Sequence, residues 1–270
     1  MSAFTQDLQY TLRVLRKNPG FTAVAVSALA LGIGANTAIF SVLNGVLLQP
    51  LPFKDSDRLV QVGRAFRDGC CGSASIPKYM AWRQASAAFD GMTAYDFVGP
   101  GLNLGGTNTP EQVKGIHVSA DFFSVFGAAP AIGRVFTSEE DRPGGPRLAV
   151  ISSGLWKRRW GADASILGRT VVLNSEPYTV IGVLSQSFHS NPPADIWIPL
   201  QADPNSTNQG HYLLVAARLK PGISLQATRS QLKIAGEQFR RLNPRWMNPD
   251  ESVTAKPLRE VMVGDTRPAL

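Results

Sequence analysis

The longest feature of the hydrophobic pattern is a stretch without charge. Phe21 to Leu48 carry no charged side chain, and Asn36 and Asn44 are their only strongly polar residues. These 28 residues would form a helix of about 42 Å at about 1.5 Å per residue. The hydrocarbon core of a bilayer is about 30 Å thick. The pattern therefore predicts a transmembrane helix over residues 21–48.

Two other structures share this pattern: a buried core helix and a cleaved signal peptide. Arg16 and Lys17 precede the apolar run, and Ala28-Leu29-Ala30 has the form of a cleavage site. The run continues for 18 residues beyond Ala30, however, which is too long for the apolar region of a signal peptide. An uncleaved transmembrane helix is the favoured interpretation.

Residues 1–20 form a separate amphipathic element. Apolar side chains recur at helical spacing at Phe4, Leu8, Leu12 and Leu15, with basic side chains on the other faces. Asn18-Pro19-Gly20 then breaks the helix. We expect an amphipathic helix on the cytoplasmic membrane surface, with Pro19 and Gly20 as the hinge that couples it to the span. The alternative is a continuous helix bent at Pro19.

The charges that flank the span predict its orientation. Three basic residues and one acidic residue precede it, whereas the first charges after it, at positions 54–58, are two of each sign. The excess of positive charge belongs on the cytoplasmic side. This places the N-terminus in the cytoplasm and residues 49–270 across the membrane.

Small residues recur every four positions along the span. Ala28, Gly32 and Asn36 form one stripe, and Ala30, Gly34 and Ala38 form another. Such stripes let a second helix approach closely, and an asparagine can hydrogen-bond across the contact. We expect these six residues to pack against other membrane helices. The alternative is a single anchor whose glycines have no partner.

Beyond the span, strand and helix patterns alternate. They predict two β-α-β units, one over Arg58–Gly63, Ser73–Phe89 and Thr93–Val98, the other over Tyr212–Leu219, Ser224–Leu242 and Glu251–Pro257. Together these units predict a split ferredoxin-like subdomain formed by residues 49–107 and 206–260. Residues 108–205, with strand patterns at Glu111–Val118 and a hairpin over 169–184, predict an inserted strand-rich subdomain. The predicted fold class is α+β.

Composition and charge limit the classes of function that fit the chain. Hydrophobic residues make up 44% of the chain, which excludes intrinsic disorder. The net charge of +7 would suit nucleic acid, but the basic residues form no single stripe. Trp156-Lys157-Arg158-Arg159-Trp160 mixes bases with aromatic rings, and we interpret it as two core-facing tryptophans with a basic rim. We expect no nucleic-acid partner.

No pattern of catalytic or metal-binding residues stands out. His117, His189 and His211 lack metal-ligand spacing, and Cys70-Cys71 is interpreted as a pair of exposed thiols. Glu139-Glu140-Asp141 is interpreted as a solvated acidic loop. No phosphate-binding loop of the Gly-x-x-x-x-Gly-Lys type occurs. We therefore predict no catalytic, cofactor or metal site in this chain.

Several segments closely resemble one family. They are residues 12–22, 29–40, 48–53, 119–123, 167–170, 174–183 and 217–222. They resemble the MacB-like, FtsX-like permeases of ABC transporters, in particular the acidobacterial-type duplicated permeases. The resemblance covers essentially the whole chain, and residues 49–270 correspond to the periplasmic core domain of that family.

The resemblance implies a permease subunit of the bacterial inner membrane, whose periplasmic domain relays conformational change. ATP would bind only to a partner ABC ATPase subunit. Further permease helices or a second permease copy would pack against the span. Membrane lipid and a periplasmic protein would be the other partners.

Permeases of this family continue into a second transmembrane helix at the point where residues 265–270 end this chain. We therefore expect it to be the N-terminal portion of a longer permease. Two other functions share some of these features. One is a free-standing, membrane-anchored binding or sensor module in the periplasm, and the other is an anchored enzyme, which would need a catalytic constellation.

Overall fold

The computed structural model describes residues 10, 13, 15–43, 51–67, 69–85, 87–96, 101–105 and 110–264. The chain divides into two compact units, Met1–Gln49 and Pro50–Leu270. We call the second unit the sheet domain. Most of the predicted amphipathic helix over residues 1–20, and residues 44–48 of the predicted span, lie outside the described residues.

The first unit contains the helix α1, Pro19–Leu43. Residues 15–17 are also helical, and Asn18 interrupts the helix. Proline suits the first position of a helix because the N–H it lacks would have no partner there. Thr22 donates its N–H to the Asn18 carbonyl at 3.0 Å and its hydroxyl to the Leu15 carbonyl at 2.7 Å. The helix therefore begins two residues before the predicted span, and the boundary of the span itself stays a prediction.

The sheet domain contains thirteen strands in its described part. They are β1 Leu59–Phe66, β2 Gly69–Gly72, β3 Phe89–Asp96, β4 Leu102–Leu104, β5 Glu111–Val113, β6 Gly115–Val118, β7 Pro130–Gly133, β8 Leu148–Ile151, β9 Thr170–Leu173, β10 Glu176–Leu184, β11 Ile196–Pro199, β12 Leu213–Leu219 and β13 Ser252–Pro257. The α-helices are α2 Ile76–Ala85, α3 Phe122–Phe126, α4 Ser153–Trp160, α5 Leu225–Leu242 and α6 Leu258–Gly264.

Four of these strands form an antiparallel sheet in the order β13-β1-β12-β3. Counted along a β-α-β-β-α-β chain, this is the order 4-1-3-2, and α2 and α5 are the two crossover helices. This is the split ferredoxin-like arrangement. Ser224 accepts the N–H of Ala227 and so begins α5 where the sequence predicts it.

The two faces of this sheet bury different clusters because successive side chains of a strand point in opposite directions. Val215 and Ala217 of β12 lie in the cluster that contains Tyr79 and Trp82 of α2 and Leu232 and Phe239 of α5. Ala216 lies in the opposite cluster, with Phe122 and Phe126 of α3 and Leu258 of α6. The central strand β12 therefore contributes side chains to both hydrophobic clusters.

The remaining strands continue the sheet in the order β6-β11-β8-β10-β9-β4-β5, and β7 pairs with β10. Tyr95 of β3 lies opposite Val118 of β6 and joins the two parts. The core packed against the remaining strands includes Leu104, Leu155, Ile166 and Leu173. The chain beyond residue 50 forms one compact unit, and its division into two subdomains stays a prediction.

Several details differ from the sequence pattern. The helix predicted over Ser73–Phe89 ends at Ala85, and Phe89 is the first residue of β3. The stretch Glu111–Val118 forms two strands, because β5 pairs with β4 and β6 pairs with β11. The strand β4 was assigned to the split subdomain, residues 49–107, yet it pairs with β5 and β9 of the insertion. This pairing places β4 beside the strands of the insertion, while the boundary between residues 107 and 108 stays a prediction. The short elements β2, β7 and α6 had no clear pattern.

Replacement of Gly182 by alanine should destabilise the sheet domain. A Cβ on Gly182 would lie 2.1 Å from the Arg134 carbonyl oxygen, so the backbone beside β10 must shift, at a cost of about 1–3 kcal/mol. Gly154 in α4 is the control, because its added Cβ would meet nothing closer than 3.8 Å. Urea unfolding should show a lower midpoint for G182A and an unchanged or higher one for G154A. Equal midpoints would contradict the close approach.

Candidate functional site

The first candidate region is the surface of α1. Among the described residues, one helix is long and apolar enough to cross a membrane, and no part of its qualifying stretch, Pro19–Thr37, is buried. This argues against the core-helix alternative, because the large apolar side chains Phe21, Val24 and Leu31 are more than 70% exposed.

Five of the six predicted packing residues are exposed along α1: Ala28, Ala30, Gly32, Gly34 and Asn36. The side chain of Ala38 lies outside the described set. A Cβ added to Gly32 or to Gly34 would have no atom within 4 Å. Packing at these residues therefore requires helices other than those described, and it stays a prediction.

The predicted hinge residues, Pro19 and Gly20, are the first two residues of α1 and are exposed. Because Asn18 is not helical, the described structure has a break in the helix at this point. A Cβ added to Gly20 would meet no atom within 4 Å. The hinge function itself stays a prediction.

The second candidate region, which we call the junction, consists of Phe53–Arg58 at the start of the sheet domain, Arg218 of β12, Val125 of α3, and α6. The Arg218 side chain donates to three backbone carbonyls. Its distances to the oxygens are 2.6 Å for Lys54, 3.1 Å for Asp55 and 2.7 Å for Val125. Arg218 is 8% exposed, and its burial, together with the nearby Arg58 cation, lowers its pKa.

A second arginine reinforces the junction. The Arg58 side chain donates to the Leu219 carbonyl from Nε at 2.8 Å and from Nη2 at 2.6 Å, and it also pairs with Asp90. Phe53 contributes an aromatic contact, with its ring 5.0 Å from that of Phe126. The segment after the span is thus attached to β12 and α3 by both polar and apolar contacts.

A cavity of about 480 Å³ lies at the junction. Phe53 lines it from the entering segment, Leu258 and Met262 from α6, and Tyr95 and Leu214 from the sheet. The segment Phe53–Arg58 and the last described helix of the sheet domain therefore meet at one place.

The junction does not follow from the residue pattern. A signal was present, because Arg218 is a charged residue within the strongest strand pattern of the chain, Tyr212–Leu219. Its three acceptors are backbone atoms of distant residues, however, and a carbonyl leaves no trace in the residue pattern.

Comparison with known proteins identifies the family. The MacB-like periplasmic core domain family matches residues 22–235 of the chain. The chain belongs to this family. Its sheet domain is therefore a MacB-like periplasmic core domain of ABC transporter permeases, and the exposed helix α1 fits a membrane-anchored periplasmic domain.

Two curated relatives share part of this sequence. The "Probable export ATP-binding/permease protein MacB" of Pseudomonas entomophila is 27% identical over 135 residues, which cover 48% of this chain and 20% of the relative. The "Probable syringafactin export ATP-binding/permease protein SyfD" of Pseudomonas syringae pv. tomato is 28% identical over 120 residues, which cover 43% and 18%. The chain thus spans about a fifth of the length of these relatives.

A solved structure has the same fold. The periplasmic region of MacB from Actinobacillus actinomycetemcomitans superposes with a TM-score of 0.56 at 16% identity, covering 83% of this chain and 98% of the solved one. This confirms the predicted α+β class with an N-terminal apolar helix and a strand-rich sheet domain.

The periplasmic core domain also contains a buried ion pair. Lys78 of α2 and Glu251, which precedes β13, have side chains only 1% and 2% exposed, with Nζ and Oε1 2.5 Å apart. The Lys78 Nζ also lies 3.1 Å from Nε2 of the half-buried His211. Burial lowers the pKa of Lys78 and, with help from the Arg64 and Lys78 cations, that of His211.

The cysteine pair lies on the short strand β2. Cys70 and Cys71 are joined by a disulfide and lie in β2, which pairs with β1. Both residues are half-buried, so the interpretation as exposed thiols in a loop is wrong. The Gln61 side chain donates to the Cys71 carbonyl at 3.2 Å and fixes the edge of β2.

The acidic loop is also more structured than the sequence suggests. Glu139 is exposed as expected, but Glu140 forms a two-pronged pair with Arg134 at 2.7 and 2.8 Å, and this bond lowers its pKa to about 2. Asp141 accepts the N–H groups of Ala120 and Gln201 at 2.9 and 2.7 Å. The interpretation of this triplet as solvated charge is wrong for Glu140 and Asp141.

The remaining histidines and tryptophans considered in the sequence are hydrogen-bonded, exposed or half-buried. His117 lies 2.7 Å from the Asp96 carboxylate, His189 is exposed, and Trp156 and Trp160 are half-buried beside the core. Among the described residues, no group of three or more His, Cys, Asp or Glu side chains could hold a metal ion.

Replacement of Lys78 by methionine should strongly destabilise the domain. It would leave the buried Glu251 carboxylate without its cation, at a cost of about 3–5 kcal/mol. The double variant K78M/E251L removes both charges and should recover most of that loss. Urea unfolding of the two variants and the parent measures this, and a double variant no more stable than K78M would contradict the pairing.

His211 should make stability depend on pH. Because its folded pKa lies below the ordinary 6.5, the folded state resists protonation that the unfolded state accepts. The free energy of unfolding should therefore fall as the pH decreases from about 6.5, until the folded pKa is reached. Glu251 is the anion that opposes this shift, and Arg64 and Lys78 are the cations that add to it.

Urea midpoints at pH 7.5 and pH 5.5 measure the effect. The difference between the two midpoints should be smaller for H211Q than for the parent, because glutamine does not titrate. The variant H189Q, at an exposed histidine, is the control and should keep the parent's difference. The same pH dependence in H211Q and the parent would contradict the assignment.

Proposed function

We propose that this chain is the N-terminal portion of a permease subunit in a MacB-like ABC transport and mechanotransmission system. The periplasmic core domain relays conformational change and binds a protein partner in the periplasm. α1 anchors it in the bacterial inner membrane with the N-terminus in the cytoplasm. ATP binds to a separate ABC ATPase subunit, and this chain carries no catalytic site.

The family match over residues 22–235 is the observation that carries this proposal. The exposure of α1 supports it, since glycine and asparagine on a membrane helix favour contact with another helix over contact with lipid. We propose that the stripes through Gly32 and Gly34 pack against further permease helices or a second permease copy. The three basic residues before the span support the orientation.

The proposed relay has three parts. The ATPase moves the amphipathic helix in the cytoplasm, α1 transmits the displacement, and the periplasmic domain tilts in response. Pro19 and Gly20 are the hinge at the start of α1, where Asn18 already interrupts the helix. The free-standing sensor module differs in two respects: it would have a defined ligand pocket, and its anchor would tolerate bulk at Gly32.

The substitutions Gly32→Leu and Pro19→Ala test the relay in the intact permease as cells express it. G32L should lower export several-fold because leucine prevents close helix approach. P19A should uncouple ATP hydrolysis from export because it restores a continuous helix. Export and ATPase activity are measured in membrane vesicles containing equal amounts of protein.

The control is Ile33→Phe. At about 100° per residue, Ile33 lies about 100° from both Gly32 and Gly34 and belongs to neither small-residue stripe, so added bulk there should leave export unchanged. Normal export and ATPase activity in both G32L and P19A would contradict the relay and favour the sensor module.

A further inference from the structure

Arg218 is a buried arginine whose side chain contacts backbone carbonyls. It lies on a central strand, opposite Leu59 of β1 and Gly91 of β3, so its backbone is fixed on both sides. The nearest carboxylate oxygen among the described ion pairs of Arg218 is Oδ2 of Asp55, at 3.9 Å. Its close contacts are therefore carbonyl oxygens, which lie at shorter distances.

These carbonyls come from two separate segments. Lys54 and Asp55 belong to the segment that follows the membrane helix, and Val125 belongs to the last turn of α3. A guanidinium group has a planar fork of five N–H donors, which allows one side chain to bind three carbonyls at once. The terminal carbonyls of a helix lack helical partners, so Val125 has an acceptor free for this bond.

Other contacts hold the same segment in place. Arg58 donates to the Leu219 carbonyl next to Arg218, and Phe53 packs on Phe126 of α3. Lys54 lies so close to Gly127 that a Cβ there would be 2.9 Å from the Lys54 Cβ. The segment therefore lies tightly between α3 and the end of β12.

We propose that Arg218 is the positioning residue that fixes the segment Phe53–Arg58 to the sheet, so that movement of the segment moves β12 and α3 with it. This inference rests on the proposed relay. It names the point at which the displacement transmitted by α1 would reach the periplasmic domain. If Arg218 merely stabilised the fold, its replacement would loosen the segment no more than it loosens the rest of the sheet.

The test measures the position of the segment directly. Nitroxide labels are placed on cysteines at two exposed positions, Asp57 in the segment and Lys114 in the sheet domain, in a background with Cys70 and Cys71 replaced by serine. A second pair, Lys114 and Lys220, reports on the sheet alone. Double electron–electron resonance gives the distance distribution for each pair in the full chain.

The substitution Arg218→Lys should at least double the width of the distribution for the pair 57–114 and leave the pair 114–220 unchanged. Lysine keeps the charge but is a point donor without the planar fork. Arg218→Met is the stronger variant, and R218K keeps the test valid if R218M does not fold. The control is Arg229→Lys on α5, because Arg229 binds only the Ala255 carbonyl among its described hydrogen bonds.

Two outcomes of the distance measurement would overturn the proposal. Unchanged distributions in R218K would show that other contacts fix the segment, and equal broadening of both pairs would show a general structural role. The measurement needs no ATPase, so it is independent of the export tests on Gly32 and Pro19. A second arm in the intact permease should show several-fold lower export in R218K, and normal export would overturn the coupling part.

Discussion

The pairing of β1 with β12 is the constraint on which the domain depends. It places Leu59 opposite Arg218 and Val62 opposite Val215, joining two parts of the chain that are separated by the whole insertion. Long-range pairing of this kind closes a large loop before its contacts can compensate for the lost chain entropy. The two crossover helices and both hydrophobic clusters then build on this pair.

The same pair explains why the junction lies where it does. β1 is the first strand after α1, at Leu59, and its partner β12 carries Arg218 on the face that also buries Phe126 and Leu258. The entering segment therefore meets the central strand and α3 at once. In a permease that relays motion, such an attachment would let a displacement at the membrane reach the middle of the sheet.

The Lys78–Glu251 pair lies on the opposite side of that sheet and connects the two crossover units. Lys78 belongs to the first β-α-β unit and Glu251 to the second. A buried pair of this kind gives little net stability, because desolvation offsets much of the attraction, but removal of one partner is costly. The pair thus links α2 to the residue that precedes β13, and His211 lies beside it, 3.1 Å from the Lys78 Nζ.

The sequence by itself determined the uncharged helix, the strand β12, the helix α5 with its Ser224 cap, and the two β-α-β units. Those features are periodic or local, so composition and spacing reveal them, whereas the family came from the resemblance of several segments to known permeases. Tertiary structure alone decided the bonds of Arg218 to three carbonyls, the bonds of Asp141 to two N–H groups, and the pairing of β4 with the insertion. Each of these joins residues far apart in the chain, and backbone acceptors and donors are the same at every position, so no residue pattern can mark them.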